Sequence, residues 1–146
     1  MSDAGFTPQL EITQDDRTMG ILAHVLQVVG WWIAPLIIFL VKRDSLFVKF
    51  HALQALILQL CLMVLWIGGM AVFFGAIFAS MPMSGSPPHN APPPAIMFLF
   101  PIFWLLAMGG WVLVLVLAIV YGIKAGRGEW AAYPVIGNLA RHFLKM

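Results

Sequence analysis

The chain has 146 residues, of which 62% are hydrophobic and 10% charged, with a formal net charge of +2. A body this small has too little interior to bury so much apolar chain in water, which excludes a soluble domain and makes the bilayer the solvent. The small net charge gives no footing for nucleic acid. The lone Cys61 offers neither an intramolecular disulfide nor a Cys/His metal pattern.

Residues 1–17 form a polar, acidic tail with Asp3, Glu11, Asp15 and Asp16 against Arg17. They lack the basic start and apolar stretch of a cleaved signal peptide, so the apolar chain that follows is expected to stay in the membrane. The membrane domain spans residues 18–128 and holds three apolar segments, about 19–41, 50–79 and 96–123. The first is long enough to cross a hydrocarbon core about 30 Å thick. Gly30, Trp31, Trp32 and Pro35 stand at its middle, where proline should kink a helix. It reads as a bent span, with a re-entrant pair of short helices as the alternative.

The second and third segments read as long helices, because no Lys, Arg, Asp or Glu occurs from Ala52 to Ile123. Between them, residues 80–95 include Pro82, Pro87, Pro88, Pro92, Pro93 and Pro94, a density that favours extended chain and excludes helix. Residues 129–146 form a short amphipathic tail, in which Val135, Ile136, Leu139, Phe143 and Leu144 recur at helical spacing beside Arg141 and Lys145. The fold class is therefore all-α: a polytopic membrane protein with three apolar helical segments and a C-terminal amphipathic helix.

Lys42, Arg43 and Lys49 follow the first segment; Lys124, Arg127, Arg141 and Lys145 follow the third; the Pro-rich loop carries none. The positive-inside preference puts the first connection and the C-terminus in the cytoplasm of a bacterial-type inner membrane.

Two His-x-x-Gln sequences, His24 to Gln27 and His51 to Gln54, each present an imidazole and an amide on one helix face. They read as ligand, proton or metal sites, or as interhelical hydrogen-bonding pairs. If the first segment crosses, His24 and His51 lie on opposite sides and share nothing; only a re-entrant segment brings them together. A second constellation gathers Lys42, Arg43, Asp44, Lys49 and His51 with Lys124, Arg127, Glu129 and Tyr133 at the cytoplasmic ends of the helices. Glu129, the sole carboxylate of the C-terminal half, is expected to pair with His51 or a cation before segment two, and His51 to contact a partner. No phosphate loop, His-Glu-x-x-His or Gly-x-Ser-x-Gly pattern occurs, so no enzyme activity and no cofactor are expected. Small residues four apart, Ala71, Gly75, Ala79 and Ala118, Gly122, Gly126, suit close helix approach within the chain or self-association.

Three blocks carry a family resemblance: Leu22-Ala23-His24; Pro35-Leu36-Ile37 running into Lys42-Arg43-Asp44-Ser45 and Phe50-His51-Ala52-Leu53-Gln54-Ala55; and Lys124-Ala125-Gly126-Arg127-Gly128-Glu129-Trp130 with Tyr133-Pro134. Over about residues 17–135 the chain resembles a bacterial integral-membrane family of unknown function related to the small polytopic Tic component of the chloroplast inner-envelope protein import translocon. It departs from that family at Leu56-Ile57-Leu58, where members often carry Asn. The resemblance implies a non-enzymatic subunit or scaffold of a membrane complex, with a link to protein translocation or insertion. It singles out Phe50, His51, Gln54, Lys124, Arg127, Gly128, Glu129, Tyr133 and Pro134 as interaction residues. The expected partners are the lipid bilayer and other membrane proteins or further copies. The rival readings are a small oligomeric transporter or channel and, on His24 and His51 alone, a haem or metal protein.

Overall fold

A computed structural model describes residues 11–79 and 94–146; most of the acidic tail and of the Pro-rich connection lies outside the described residues. Every regular element among those described is helical: α1 (Gln14–Val25), α2 (Gln27–Gly30), α3 (Ile33–Val41), α4 (Leu46–Ala79), α5 (Pro94–Gly126) and α6 (Ile136–Leu144). Helices α4 and α5 are long and apolar enough to cross a membrane, each about 50 Å at 1.5 Å per residue.

The two long helices have unlike ends. From Leu60 to Ala79 and from Met97 to Leu113 no residue is buried. That stretch of α4 is about 30 Å long, the thickness of a hydrocarbon core. It is joined to α5 by aromatic contacts such as Phe73 on Phe103, with ring centroids 5.9 Å apart. The opposite end is packed. There α1 lies between α4 and α5, α3 lies along α4, and α6 lies along α4 as well.

The first apolar segment is not a bent span. It folds back on itself as a helical hairpin, and the Lys42 ammonium donates to the Asp15 carboxylate, closing the two open ends on each other. The reversal comes at Trp31, whose backbone (φ 50, ψ −133) lies in a region that side-chain-bearing residues enter at a cost of about 1–3 kcal/mol. Pro35 does not kink a helix either. It stands in the first turn of α3, where a backbone N–H has no intrahelical partner to lose. Close approach pins the hairpin to the body: a Cβ at Gly20 would sit 3.1 Å from the Phe47 ring and 3.2 Å from Ala125 Cβ.

A capping box opens α1. The Asp16 N–H donates to Thr13 Oγ1 (3.1 Å), and the Thr13 N–H donates to the Asp16 carboxylate (3.0 Å). Partial burial works to raise the Asp16 pKa, but hydrogen bonds from Ser45 and Thr13 and the nearby Lys42 charge hold it below its ordinary value. A depressed carboxylate stabilises the fold above its unfolded pKa, and that contribution disappears as pH falls through the folded value. Amide protection over residues 14–17, taken relative to the intrinsic exchange rate at each pH, is therefore expected to fall below about pH 4, ahead of protection in α4.

Candidate functional site

Beyond Gly126 the chain does not leave the helices. Residues 129–135 run irregularly beside α4 and α5, and polar side chains of those helices take up their backbone groups. Gln54 donates from Nε2 to the Ala131 carbonyl (3.3 Å), and its Oε1 accepts the Tyr133 N–H (2.5 Å). The Tyr121 hydroxyl donates to the Ala132 carbonyl (3.0 Å). Irregular backbone that is enclosed needs protein groups to satisfy its N–H and C=O. One glutamine thus serves this segment as a neighbouring strand would, with one acceptor and one donor.

The same segment carries Tyr133 into a buried hydrogen-bonded chain. His24 Nδ1 is 2.7 Å from the Tyr133 hydroxyl and His24 Nε2 is 2.9 Å from His51 Nδ1. His51 Nε2 lies 3.1 Å from the Glu129 carbonyl, and Gln27 Nε2 donates to the Tyr133 hydroxyl (3.2 Å). His24, Gln27, His51 and Gln54 are wholly buried, and Tyr133 is 2% exposed. From Lys49 to Gln59, whose amide donates to the Gln27 carbonyl (3.0 Å), the polar residues occupy about 15 Å of α4.

The chain has a direction. A carbonyl oxygen only accepts, so His51 Nε2 carries the proton given to Glu129 and its Nδ1 is bare. His24 Nε2 then supplies the proton between the rings, its own Nδ1 is bare, and the Tyr133 hydroxyl donates to it. Gln27 Oε1 is left buried without a partner. Turning that amide over would satisfy the oxygen only by reversing each bond down to His51, whose Nε2 would then face the carbonyl with no proton. Burial pushes the Tyr133 phenol well above its ordinary pKa, against the hydrogen bond from Gln27, which keeps it a neutral donor. Nitrogen NMR of labelled histidines is expected to show both rings protonated at Nε2 and bare at Nδ1; a protonated Nδ1 on either would break the assignment.

A helical hairpin, two long apolar helices and a returning C-terminal segment can now be compared with known proteins. The model of the magnetosome magnetite crystal formation protein family (MamF/MmsF) matches residues 15–140. The chain belongs to that family. It is also 30% identical, over 135 residues, to a UPF0132 membrane protein of Methanocaldococcus jannaschii, covering 89% of this chain and 74% of the relative. No solved structure matches. The chain is thus a membrane protein of an uncharacterised family, and neither match is to a translocon component.

In this MamF/MmsF member the expected site residues divide into two groups. His24, His51, Gln54 and Tyr133 converge, which overturns the separation of the two histidines that a crossing first segment implied. The physical reason is the fold-back at Trp31. Phe50 is buried beside them, with its ring 5.5 Å from that of His51 and 5.7 Å from that of Trp130. The remaining residues form a charged rim. Lys42 pairs with Asp15, and Asp44 lines a surface cleft beside them. Lys124 lies over the Tyr121 ring at 5.3 Å. Gly128 takes a left-handed backbone (φ 77) against the Arg17 side chain, and Pro134 is exposed, its carbonyl accepting the Ile136 N–H (2.7 Å).

Two expectations need correcting. The Glu129 carboxylate does not reach His51 or the cations before α4; it stands 3.9 Å from Arg127, and both side chains are largely exposed. What His51 holds is the carbonyl of the same residue. His51 is also no contact surface for a partner, since it is fully enclosed. Glu129→Gln is therefore expected to leave thermal stability in mild detergent nearly unchanged, within about 1 kcal/mol, as for an exposed ion pair. A loss well above that would show that the carboxylate is structural.

Tyr121 and Gln59 are not among the residues expected here; Gln27 is expected as the amide beside His24. The signal was available: the chain has two tyrosines, and both are in this site.

Proposed function

We propose that this protein is a non-enzymatic scaffold of an inner membrane, serving magnetite crystal formation, the process for which its family is described. The observation that carries the reading is where the polar side chains are used. His24, His51, Gln54, Tyr121 and Tyr133 direct their hydrogen-bonding groups to one another and to the backbone of residues 129–135. What the molecule turns outward is a bare apolar pair of helices and a charged rim. Such a body is suited to holding lipids and other helices in place. The stripe Ala71, Gly75, Ala79 is exposed and has none of the described residues against a Cβ at Gly75, which fits pairing with another membrane helix or a further copy. The cations of the rim favour its facing the cytoplasm together with the C-terminus. The translocation role is set aside, because neither matched family nor relative is described by it.

The test uses a magnetite-forming cell from which the resident family member has been deleted. Expression of this chain is expected to restore crystal number and size, seen by electron microscopy, and the chain is expected to co-purify with other membrane proteins in mild detergent. Normal membrane abundance without any change in the crystals would defeat the proposal.

A further inference from the structure

Helix α6 has three distinct faces. Gly137 and Ala140 are buried and Leu144 is half-buried, and this side lies on α4. At about 100° per residue, Leu139 and Phe143 fall on a second side, roughly a third of a turn away, and are 44% and 64% exposed; Val135 and Met146, just outside the helix at either end, are 84% and 53% exposed. Arg141, His142 and Lys145, all exposed, occupy the third.

A helix resting on a protein surface in water would need one apolar face, not two. The outward stripe is continuous in character with the apolar, unburied flanks of α4 and α5, which face lipid. Val135 strengthens the point. Its φ of 66 is one that glycine adopts without cost, yet an exposed valine stands there.

The cationic face is equally specific. Arg141 is set over the Phe50 ring at 5.7 Å, and no carboxylate pairs with Arg141 or Lys145 among the described residues. The acids of the rim have other partners: Asp15 and Asp16 line the cleft with Lys42 and Asp44, and Glu129 stands by Arg127. Two cations one helical turn apart, beside an apolar stripe, complement a phosphodiester whose acyl chains run along that stripe.

We infer that α6 is a binding surface for anionic phospholipid, with Arg141 and Lys145 taking the headgroup phosphate and Leu139 and Phe143 seated against the acyl chains. This stands apart from the scaffold reading, and either can fail alone.

Native mass spectrometry of the full chain in mild detergent, with phosphatidylglycerol and phosphatidylcholine added in equal amounts, tests it. Wild type is expected to retain phosphatidylglycerol preferentially. Arg141→Gln and Lys145→Gln should each lower that retention about fivefold. Arg141→Lys should keep most of it, which separates lost charge from lost fold. Leu139→Ser with Phe143→Ser should weaken retention of both lipids, while Lys124→Gln with Arg127→Gln should change little. Undiminished preference in Arg141→Gln and Lys145→Gln overturns the inference, as does its loss in the Lys124 and Arg127 pair alone. Competition by inorganic phosphate also overturns it, since that would mean a site for free anions.

Discussion

Replacing Gln54 by leucine is expected to be among the most damaging single changes in the molecule. Leucine matches glutamine in bulk, so little cavity is made. What is lost is one donor and one acceptor, leaving the Ala131 carbonyl and the Tyr133 N–H unpartnered in an enclosed, low-dielectric place. Each buried orphan costs about 1–3 kcal/mol, so about 2–6 kcal/mol in all, a large fraction of typical total stability. The damage should begin locally, because Gln54 holds the segment that carries Tyr133 inward. Amide exchange over residues 131–137 should rise before exchange in the buried turns of α4. Gln54→Glu keeps the acceptor for the Tyr133 N–H and, protonated, an O–H donor for the Ala131 carbonyl, so as the neutral acid it should lie between wild type and leucine. Wild-type unfolding and exchange in Gln54→Leu would show that the backbone of 129–135 is satisfied without it.

Hydropathy alone finds α4 and α5, because an uncharged stretch from Ala52 to Ile123 has no other soluble solution. Collecting the charges at one end is equally readable, since Lys and Arg can be counted directly. The first segment is different. Its length from Met19 to Val41 is that of a span, and nothing local forbids one. Folding back depends on the Trp31 backbone and on contacts distant in sequence, such as Gly122 against Val25 and Gly126 against Ile21. The second small-residue stripe is explained by this packing and the first is not, though the two look alike as strings of letters.

The candidate site was half legible for a related reason. The His-x-x-Gln pairs announce hydrogen-bonding side chains in an apolar setting, and both are used that way. Their meeting point was hidden by topology. Glu129 shows a further limit: its carboxylate draws attention, whereas its carbonyl gives the network its direction, and every residue has a carbonyl. Only the position of residues 129–135 against α4 distinguishes this one.

The second large effect is expected at His24, where the network can be tested as a unit. His24→Leu removes the ring that accepts from Tyr133 and donates to His51, leaving the Tyr133 proton without its acceptor, His51 Nδ1 without its donor, and an imperfectly filled space. Transmembrane polar contacts often measure below 1 kcal/mol, because the unfolded chain in the membrane also finds partners. Full enclosure and two lost bonds put this one higher, at about 2–4 kcal/mol. His51→Leu should cost a similar amount, since it strands His24 Nε2 and the Glu129 carbonyl. The double variant is the informative one. Once His24 is gone, His51 has already lost a partner, so removing it as well should cost less than it does in the wild type. Unfolding in mild detergent should show a coupling of about 0.5–3 kcal/mol between the two sites. Additive losses would mean that the rings only fill space, and that the ordered chain from Gln27 to Glu129 does not stabilise the fold.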